Sequence, residues 1–127
     1  MAHALTTKAL LVAARAAWPE LTFDEAGFVE FLARRRGAVP VHAGDLLLVY
    51  LWSEGDERAQ RHLDSQYLSQ LPFIISAVDR APEFIADVVQ EVKAKLYAER
   101  RLLQYAGRGP LGGWLRRAAL NTASVLK

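Results

Sequence analysis

The chain has 127 residues, of which 52% are apolar and 24% charged, with a formal net charge of +2, and this composition is that of one globular domain rather than a disordered chain. Cysteine is absent, which excludes disulfides and thiolate metal sites. No apolar run approaches the roughly 18 residues of a membrane span and no secretory signal is recognisable, so we expect a cytoplasmic protein.

The sequence predicts an all-α fold, because alternating strand patterns are nearly absent and Gly and Pro separate helical stretches. The first helix is predicted over about residues 6–18, and it ends before Pro19 because the residue preceding a proline avoids helical angles. A second helix is predicted to begin near Thr22, where Glu25 three residues later completes a capping-box pattern. The run Arg34–Gly37 is a helix stop signal.

The third predicted helix, over residues 42–52, is strongly apolar and is expected to be buried. A fourth is predicted over about residues 56–78. Pro72 lies inside it and must kink or split it, because the proline ring clashes with the preceding turn.

The fifth predicted helix, over about residues 81–101, has the clearest periodicity. Its buried face is expected to carry Phe84, Ile85, Val88, Val89, Val92 and Leu96. The opposite face carries Asp87, Gln90, Glu91 and Ala94. This face is either the wet side of an amphipathic helix or a docking surface for a partner helix, and periodicity alone leaves both open.

A loop is predicted over residues 102–109, followed by a sixth helix with Pro110 as its first residue. The inner stripe of that helix is expected to be Leu111, Trp114, Leu115, Ala118, Thr122 and Val125. Arg116, Arg117, Leu120 and Lys127 are expected to point outward, with Asn121 on the flank.

The two parts of the chain carry opposite charges. Residues 1–92 hold eight Lys and Arg against thirteen Asp and Glu, a net −5, whereas residues 93–127 hold eight Lys and Arg against Glu99 alone, a net +7. This asymmetry favours a polyanionic partner on the C-terminal side. A solvated basic face that binds nothing has the same composition.

No signature of an enzyme is present. His3, His42 and His62 have no metal-ligand spacing and pair with no plausible nucleophile. The segment 107–109 is not a phosphate loop, because no strand precedes it and no Gly-Lys-Ser/Thr follows. We therefore expect no catalytic activity, no cofactor and no metal.

Arg116 and Arg117 follow a loop that contains Tyr105 and Arg108. Two arginines on a helix exterior are commonly just soluble surface. Aromatic and arginine side chains beside a loop also suit single-stranded nucleic acid, which needs stacking for its bases and cations for its phosphates. Trp114 lies on the inner stripe and is assigned to the core.

Two segments resemble region two of the extracytoplasmic-function sigma factors of bacterial RNA polymerase. ADVVQEVKAKLY, residues 86–97, contains the Asp-x-x-Gln-Glu pattern of the helix that this family places on the clamp coiled coil of the β′ subunit. Residues 110–123 are similar to the family's next helix, which carries a Trp-Leu-x-Arg-x-Ala-x-Asn pattern. Residues 51–75 resemble the Gly-Asp-x-x-Ala helix that opens the same domain.

The resemblance covers about residues 46–127, and the motifs HAGDLLL and YAGRGPL suggest the divergent group of the family found in myxobacteria. It implies a compact multi-helix sigma region-two domain over residues 46–127, preceded by an N-terminal helical extension over residues 1–45. Such a domain binds core RNA polymerase and recognises and melts the minus-ten promoter element, capturing a flipped base of the non-template strand.

The resemblance also implies roles for individual residues. Asp87, Gln90 and Glu91 would contact the β′ clamp helices. The residues expected to bind promoter DNA are Gln104, Tyr105, Arg108, Arg116, Arg117, Asn121 and Lys127, of which Gln104, Tyr105 and Arg108 are placed by their position in the loop rather than by a motif.

The chain departs from the family pattern at Lys93, where the family usually has a large apolar residue, and at Leu120, where it often has a basic one. The family's second DNA-binding domain would follow Lys127, so we expect a fragment of a longer protein. Two rival functions remain: a sigma-like interaction module that binds a regulator without promoter recognition, and a helix-turn-helix protein that binds duplex DNA. The extra N-terminal helices could shield region two or recruit an anti-sigma factor.

Overall fold

The computed structural model describes residues 2–127, with side chains described from Thr7 onward, and every regular element in this part of the chain is helical. This confirms the predicted all-α class. His3, one of the histidines considered above, lies outside the described side chains. The α-helices are α1 (Ala2–Ala17), α2 (Glu25–Ala33), α3 (Ala43–Ser53), α4 (Glu57–Gln66), α5 (Leu71–Ser76), α6 (Pro82–Lys93) and α7 (Leu111–Leu126).

Short helical turns connect these helices. Three of them are 3-10 turns, at Pro40–His42, Leu68–Gln70 and Arg101–Gln104, and the turn Ala94–Ala98 that follows α6 is π-helical. None of the described helices combines the length and the apolar composition that crossing a bilayer requires.

Helix α3 forms the centre of the core. All six residues from Leu46 to Leu51 are buried, as expected of a helix that is apolar on every side. Helices α1, α2 and α4 and the turn Arg101–Gln104 pack around it. The predicted boundary between residues 45 and 46 falls inside α3, and the N-terminal helices share one apolar core with the rest of the chain.

Helices α5, α6 and α7 pack on one another and form the second part of the structure. Helix α6 buries Val88 and Val92, and the turn after it buries Leu96. The rest of the predicted inner face of α6 is only half-buried, at Phe84, Ile85 and Val89.

The fourth predicted helix is split, as Pro72 requires. Helix α4 ends at Gln66, a 3-10 turn follows, and α5 begins at Leu71 with Pro72 in its first turn. The break lies upstream of the proline because the ring excludes a regular helix in the turn that precedes it. Asp56 caps the other end of α4, where its carboxylate accepts a hydrogen bond from the Arg58 backbone N–H at 2.8 Å.

Two local predictions were wrong. Helix α2 begins at Glu25 after Asp24, whose side chain makes no capping bond, so the capping box predicted at Thr22 does not form. The inner stripe predicted for α7 was wrong in part: Leu111, Leu115 and Thr122 are buried as predicted, but Ala119 and Ala123 are buried too, and Val125 is 81% exposed. The small alanines allow α7 to approach α5 and α6 closely, and the end of the helix extends beyond the core.

Asp45 joins three parts of the fold. One carboxylate oxygen accepts a hydrogen bond from the Tyr67 hydroxyl at 2.9 Å, and the other accepts from the backbone N–H of Leu111 at 2.9 Å. The second bond satisfies an N–H in the first turn of α7, which has no partner within its own helix. A side chain of α3 therefore caps α7 and holds the break between α4 and α5.

We predict that Asp45→Ala lowers the free energy of unfolding by about 1–3 kcal/mol, because it leaves the Tyr67 hydroxyl and the Leu111 N–H without their acceptor. Urea denaturation followed by circular dichroism measures this change. Asp87→Ala is the control and should change stability by less than about 0.5 kcal/mol, because Asp87 is exposed on the side of α6 that also carries Gln90 and Glu91, which we call the α6 face. Equal effects of the two substitutions would contradict the bridging role of Asp45.

Candidate nucleic-acid interface

The segment between α6 and α7 turns sharply away from the α6 axis. In the π-helical turn, Tyr97 stacks on Trp52 with ring centroids 5.5 Å apart and donates a hydrogen bond to Asp64 at 2.9 Å. Arg100 follows with φ 55°, and it is the one non-glycine residue with positive φ in the described chain. This left-handed residue ends the predicted fifth helix, and the 3-10 turn Arg101–Gln104 occupies the first part of the predicted loop.

Tyr105 is a core residue. Only 1% of its surface is exposed, and its hydroxyl donates a hydrogen bond to the Gly109 carbonyl at 2.5 Å. Its ring makes an edge-to-face contact with the Trp114 ring, with the two ring centroids 5.8 Å apart. Burial raises the pKa of the Tyr105 phenol, and the nearby Asp45 carboxylate raises it further. Tyr105 was placed among the DNA-binding residues by its position in the loop; with 1% of its surface exposed, its ring is not available for stacking on a base in this structure.

Gly107 allows the loop to pack closely against α3. It has φ +75°, a conformation that residues with a Cβ rarely adopt, and a Cβ at this position would lie 2.5 Å from the Leu46 Cδ1 atom. Its carbonyl accepts a hydrogen bond from the Val39 backbone N–H at 3.3 Å. The loop is thus held from two sides, by α3 and by the segment that follows α2.

A cleft of about 570 Å³ lies between this loop and the first turns of α7. We call it the loop cleft; its lining includes Gln104, Arg108, Gly109, Gly113, Trp114 and Arg117. Four predicted DNA-binding residues line it: Gln104, Arg108 and Arg117, which are exposed, and the buried Tyr105. Gly109 and Gly113 leave open space in the cleft, since a Cβ at either position would meet no atom closer than 3.7 Å.

Trp114 was assigned to the core from its position on the predicted inner stripe. It is only half-buried, and it lines the loop cleft. It also lines a second, smaller cleft of about 260 Å³ with Gln104 and Asn121. Asn121 therefore lies about two turns beyond Trp114 on the same face of α7, beside Lys95 and Arg101 of the preceding segment.

The remaining two predicted DNA-binding residues differ in their surroundings. Arg116 is exposed on α7, next to Arg117 in sequence. Lys127 forms an ion pair with Asp79, which lowers the pKa of that carboxyl group, and its ammonium lies 5.6 Å from the centre of the Phe84 ring. Because an α-helix rises 1.5 Å per residue, Lys127 lies roughly 15 Å along the axis from Arg117, so the structure does not bring it to the loop cleft.

The cations of this surface are available to an anion. Among the described residues, Arg108, Arg116 and Arg117 form no ion pair. Arg101 is paired with Glu99 at 3.1 Å, but both side chains are 50% exposed, and such a surface pair contributes little.

The α6 face lies on the surface, with Asp87 and Gln90 exposed and Glu91 half-buried. Beside it, Ile85, Val89 and Gln90 line a shallow cleft of about 480 Å³ that also includes Pro72. Phe73, which follows Pro72, is 77% exposed. Polar and acidic groups next to exposed apolar side chains are a combination found at protein interfaces.

No group of three or more His, Cys, Asp or Glu side chains that could hold a metal ion occurs among the described residues. Searches of protein-family models, curated proteins and solved structures found no match to this chain.

We predict that stability falls as the pH rises above about 10 and that Tyr105→Phe reduces this fall. The folded-state pKa of Tyr105 is raised, so an unfolded tyrosine loses its proton near pH 10 while the folded one retains it. The stabilisation is therefore complete below pH 10 and is lost as the pH rises toward the folded-state pKa.

Urea denaturation of both proteins at pH 8 and at about pH 10.5 tests this effect. At pH 8 the variant should be less stable by about 1 kcal/mol, because the bond to the Gly109 carbonyl is lost. At the higher pH the two stabilities should converge. An unchanged difference between the two proteins would show that Tyr105 does not titrate as its burial requires.

Proposed function

We propose that this chain is a sigma-type domain for transcription initiation, which binds core RNA polymerase through the α6 face and the non-template strand of the minus-ten element through the loop cleft. The observation that carries the proposal is the convergence of Gln104, Arg108, Trp114 and Arg117 on one cleft at the start of α7. The order of the two sequence motifs adds to it, since the polymerase motif lies on α6 and the DNA motif on α7.

The chemistry of the loop cleft suits an unpaired base. Trp114 offers an apolar, half-buried wall, and the exposed Gln104 amide can both donate to and accept from a base edge. Arg108 and Arg117 are exposed cations for the flanking phosphates. Base extrusion costs a few kcal/mol, and docking on polymerase would help to offset this cost, so the isolated chain should bind DNA weakly.

The α6 face suits a helical protein partner. Asp87, Gln90 and Glu91 are three and four residues apart and therefore lie on one side of the helix. The exposed Phe73 and the apolar cleft at Ile85 and Val89 lie on the neighbouring surface. Burial of apolar side chains, with carboxylates and an amide beside them, would provide both affinity and orientation on the β′ clamp helices.

A second candidate function is a sigma-like module that binds a regulator of the anti-sigma type without reading promoter DNA. The exposed Phe73 favours it, since this side chain would dock equally well on a regulator. The two functions differ in their response to DNA, because the regulator-binding module would show no preference for a minus-ten sequence.

We predict that Gln90→Ala/Glu91→Ala weakens binding to core polymerase, or to a β′ clamp-helix fragment, by at least about tenfold, which corresponds to roughly 1.4 kcal/mol. Fluorescence anisotropy or biolayer interferometry measures the affinity. The matched control is Glu57→Ala/Gln66→Ala, which removes the same side-chain types from exposed positions of α4. Unchanged binding of the α6 variant would contradict the polymerase assignment.

We predict that Arg117→Gln weakens binding of a single-stranded minus-ten oligonucleotide and lowers the slope of log affinity against log salt by about 0.7, because one phosphate contact is lost. Arg61→Gln removes an exposed and unpaired arginine from α4 and is the control for net charge. Equal effects of the two variants would remove Arg117 from the interface.

Gly113→Leu tests whether a base enters the loop cleft. The new side chain would occupy the cleft, and its Cβ would make only an ordinary contact of 3.7 Å with the Pro110 ring. We expect Gly113→Leu to bind minus-ten and unrelated single strands equally well, with an unchanged slope of log affinity against log salt. Gly113→Ala should still prefer the minus-ten strand. A preference that survives Gly113→Leu would show that the base is read elsewhere.

A further inference from the structure

Three consecutive arginines, Arg34, Arg35 and Arg36, follow the end of α2 at Ala33, and with Gly37 they form a helix stop signal in the sequence. The structure brings them against the segment that forms the loop cleft. The Arg35 guanidinium donates hydrogen bonds to the carbonyls of Phe31 at 3.0 Å, Leu103 at 2.7 Å and Tyr105 at 3.1 Å. It also lies 3.4 Å from the centre of the Phe31 ring.

The side chain of Arg35 is therefore occupied by contacts within the protein. Arg34 and Arg36 are exposed, and the Arg36 carbonyl accepts a hydrogen bond from the Arg108 Nε atom at 3.3 Å. This contact brings the end of α2 next to the loop. A cleft of about 640 Å³ lies between them, and we call it the arginine cleft; its lining includes Arg34, Arg35, Arg36, Arg100, Gln104 and Arg108.

The arginine cleft concentrates positive charge with little compensation. Five arginines line it and no acidic side chain does. Arg34 has a distant partner in Glu30, at 3.6 Å, with both side chains 75% exposed. Arg36, Arg100 and Arg108 form no ion pair within the described residues. The pKa of Arg35 is lowered to about 10, by burial first and by the charge of Arg34 second.

Gln104 and Arg108 line both the arginine cleft and the loop cleft. Ala106 also lines both, so the two clefts adjoin along this segment. We propose that a nucleic acid strand whose base occupies the loop cleft continues across Gln104 and Arg108 into the arginine cleft, where Arg34, Arg36 and Arg100 bind its phosphates. This inference rests on the proposed function of the loop cleft and extends it to the N-terminal helices.

A nucleic acid fits this surface better than an acidic protein segment. Phosphates recur at every nucleotide along a strand, and the planar guanidinium matches phosphate oxygens in a bidentate manner. The arginine cleft also contains the edge of Phe31 and the polar Ser53 and Gln104, which can contact bases or sugars. Continuity with the loop cleft favours a strand, because one chain of nucleotides can occupy both adjoining clefts at once.

The experiment measures binding of the full chain to two fluorescein-labelled single strands, of about 4 and about 12 nucleotides, both containing the minus-ten sequence. The variant is Arg34→Gln/Arg36→Gln, which leaves Arg35 and its three carbonyl bonds in place. The matched control is Arg61→Gln/Arg80→Gln, which removes two exposed and unpaired arginines elsewhere. Thermal melts confirm that all variants fold.

We expect the Arg34→Gln/Arg36→Gln variant to bind the long strand about 3- to 30-fold more weakly than the control does, with a salt slope lower by about 1.4 for two lost phosphate contacts. Binding of the short strand should match that of the control. An effect no larger than the control's on the long strand would overturn the inference, and so would an equal loss on both strands, which would indicate a general field effect.

The Arg117→Gln variant separates failure of this inference from failure of the proposed function. If Arg117→Gln weakens both strands while Arg34→Gln/Arg36→Gln weakens neither, the loop cleft binds DNA and only the arginine cleft is misassigned. If neither strand binds at low salt, or if Arg117→Gln has no effect, the proposed function fails and the inference fails with it. Binding of poly-glutamate that depends on Arg34 and Arg36, without binding of either strand, would assign the arginine cleft to an acidic protein.

Discussion

The guanidinium of Arg35 is the contact on which the shape of the candidate interface depends. The segment between α6 and α7 leaves several backbone carbonyls without helical partners, and such groups must find donors where they are withdrawn from water. Arg35 supplies donors to two of them, across 68 and 70 residues of sequence, and its guanidinium packs on the ring of Phe31 in the preceding helix α2. The N-terminal helices therefore belong to the geometry of the loop, and they are not an appendage beside it.

The loop divides its residues between holding its own shape and facing solvent. Tyr105 is buried against Trp114 of α7, and Gly107 is buried against Leu46 of α3. The side chains of Gln104 and Arg108, in the same segment, are exposed. Glycine-rich segments are often flexible, because glycine restricts the backbone least. The structure instead presents a loop fixed by the Tyr105 hydroxyl, the Gly107 contact with Leu46 and the carbonyl bonds of Arg35. Preorganisation of this kind lowers the entropy that a bound strand must lose.

The sequence was sufficient to predict where the helices lie, but not which side chains form the candidate site. The reasons are physical. Pro19, Pro72 and Pro110 act on the residues next to them, so the helix ends that they impose could be predicted locally. The uniformly apolar stretch Leu46–Leu51 could only be a buried helix. The burial of Tyr105 and the docking of Arg35, by contrast, arise from contacts between distant parts of the chain. The Arg34–Arg36 run was recognised as a helix end, but its spatial neighbours have no local signal, and the exposed positions of Gln104, Arg108 and Arg117 were predicted from motif and loop position alone.

The π-helical turn Ala94–Ala98 carries a consequence for the evolution of this chain. In this turn the Glu99 N–H donates to the carbonyl of Ala94, five residues earlier, whereas an α-helical bond spans four residues. The turn therefore contains one residue more than an α-helical turn does. The extra residue is absorbed within a single turn, so Val92 before it and Leu102 after it both reach the core. Loss of one residue here would restore a regular helix while leaving both anchors in place. An alignment of homologous sequences should therefore tolerate a one-residue gap at this turn, although a gap elsewhere in α6 would rotate the whole face that carries Asp87 and Gln90.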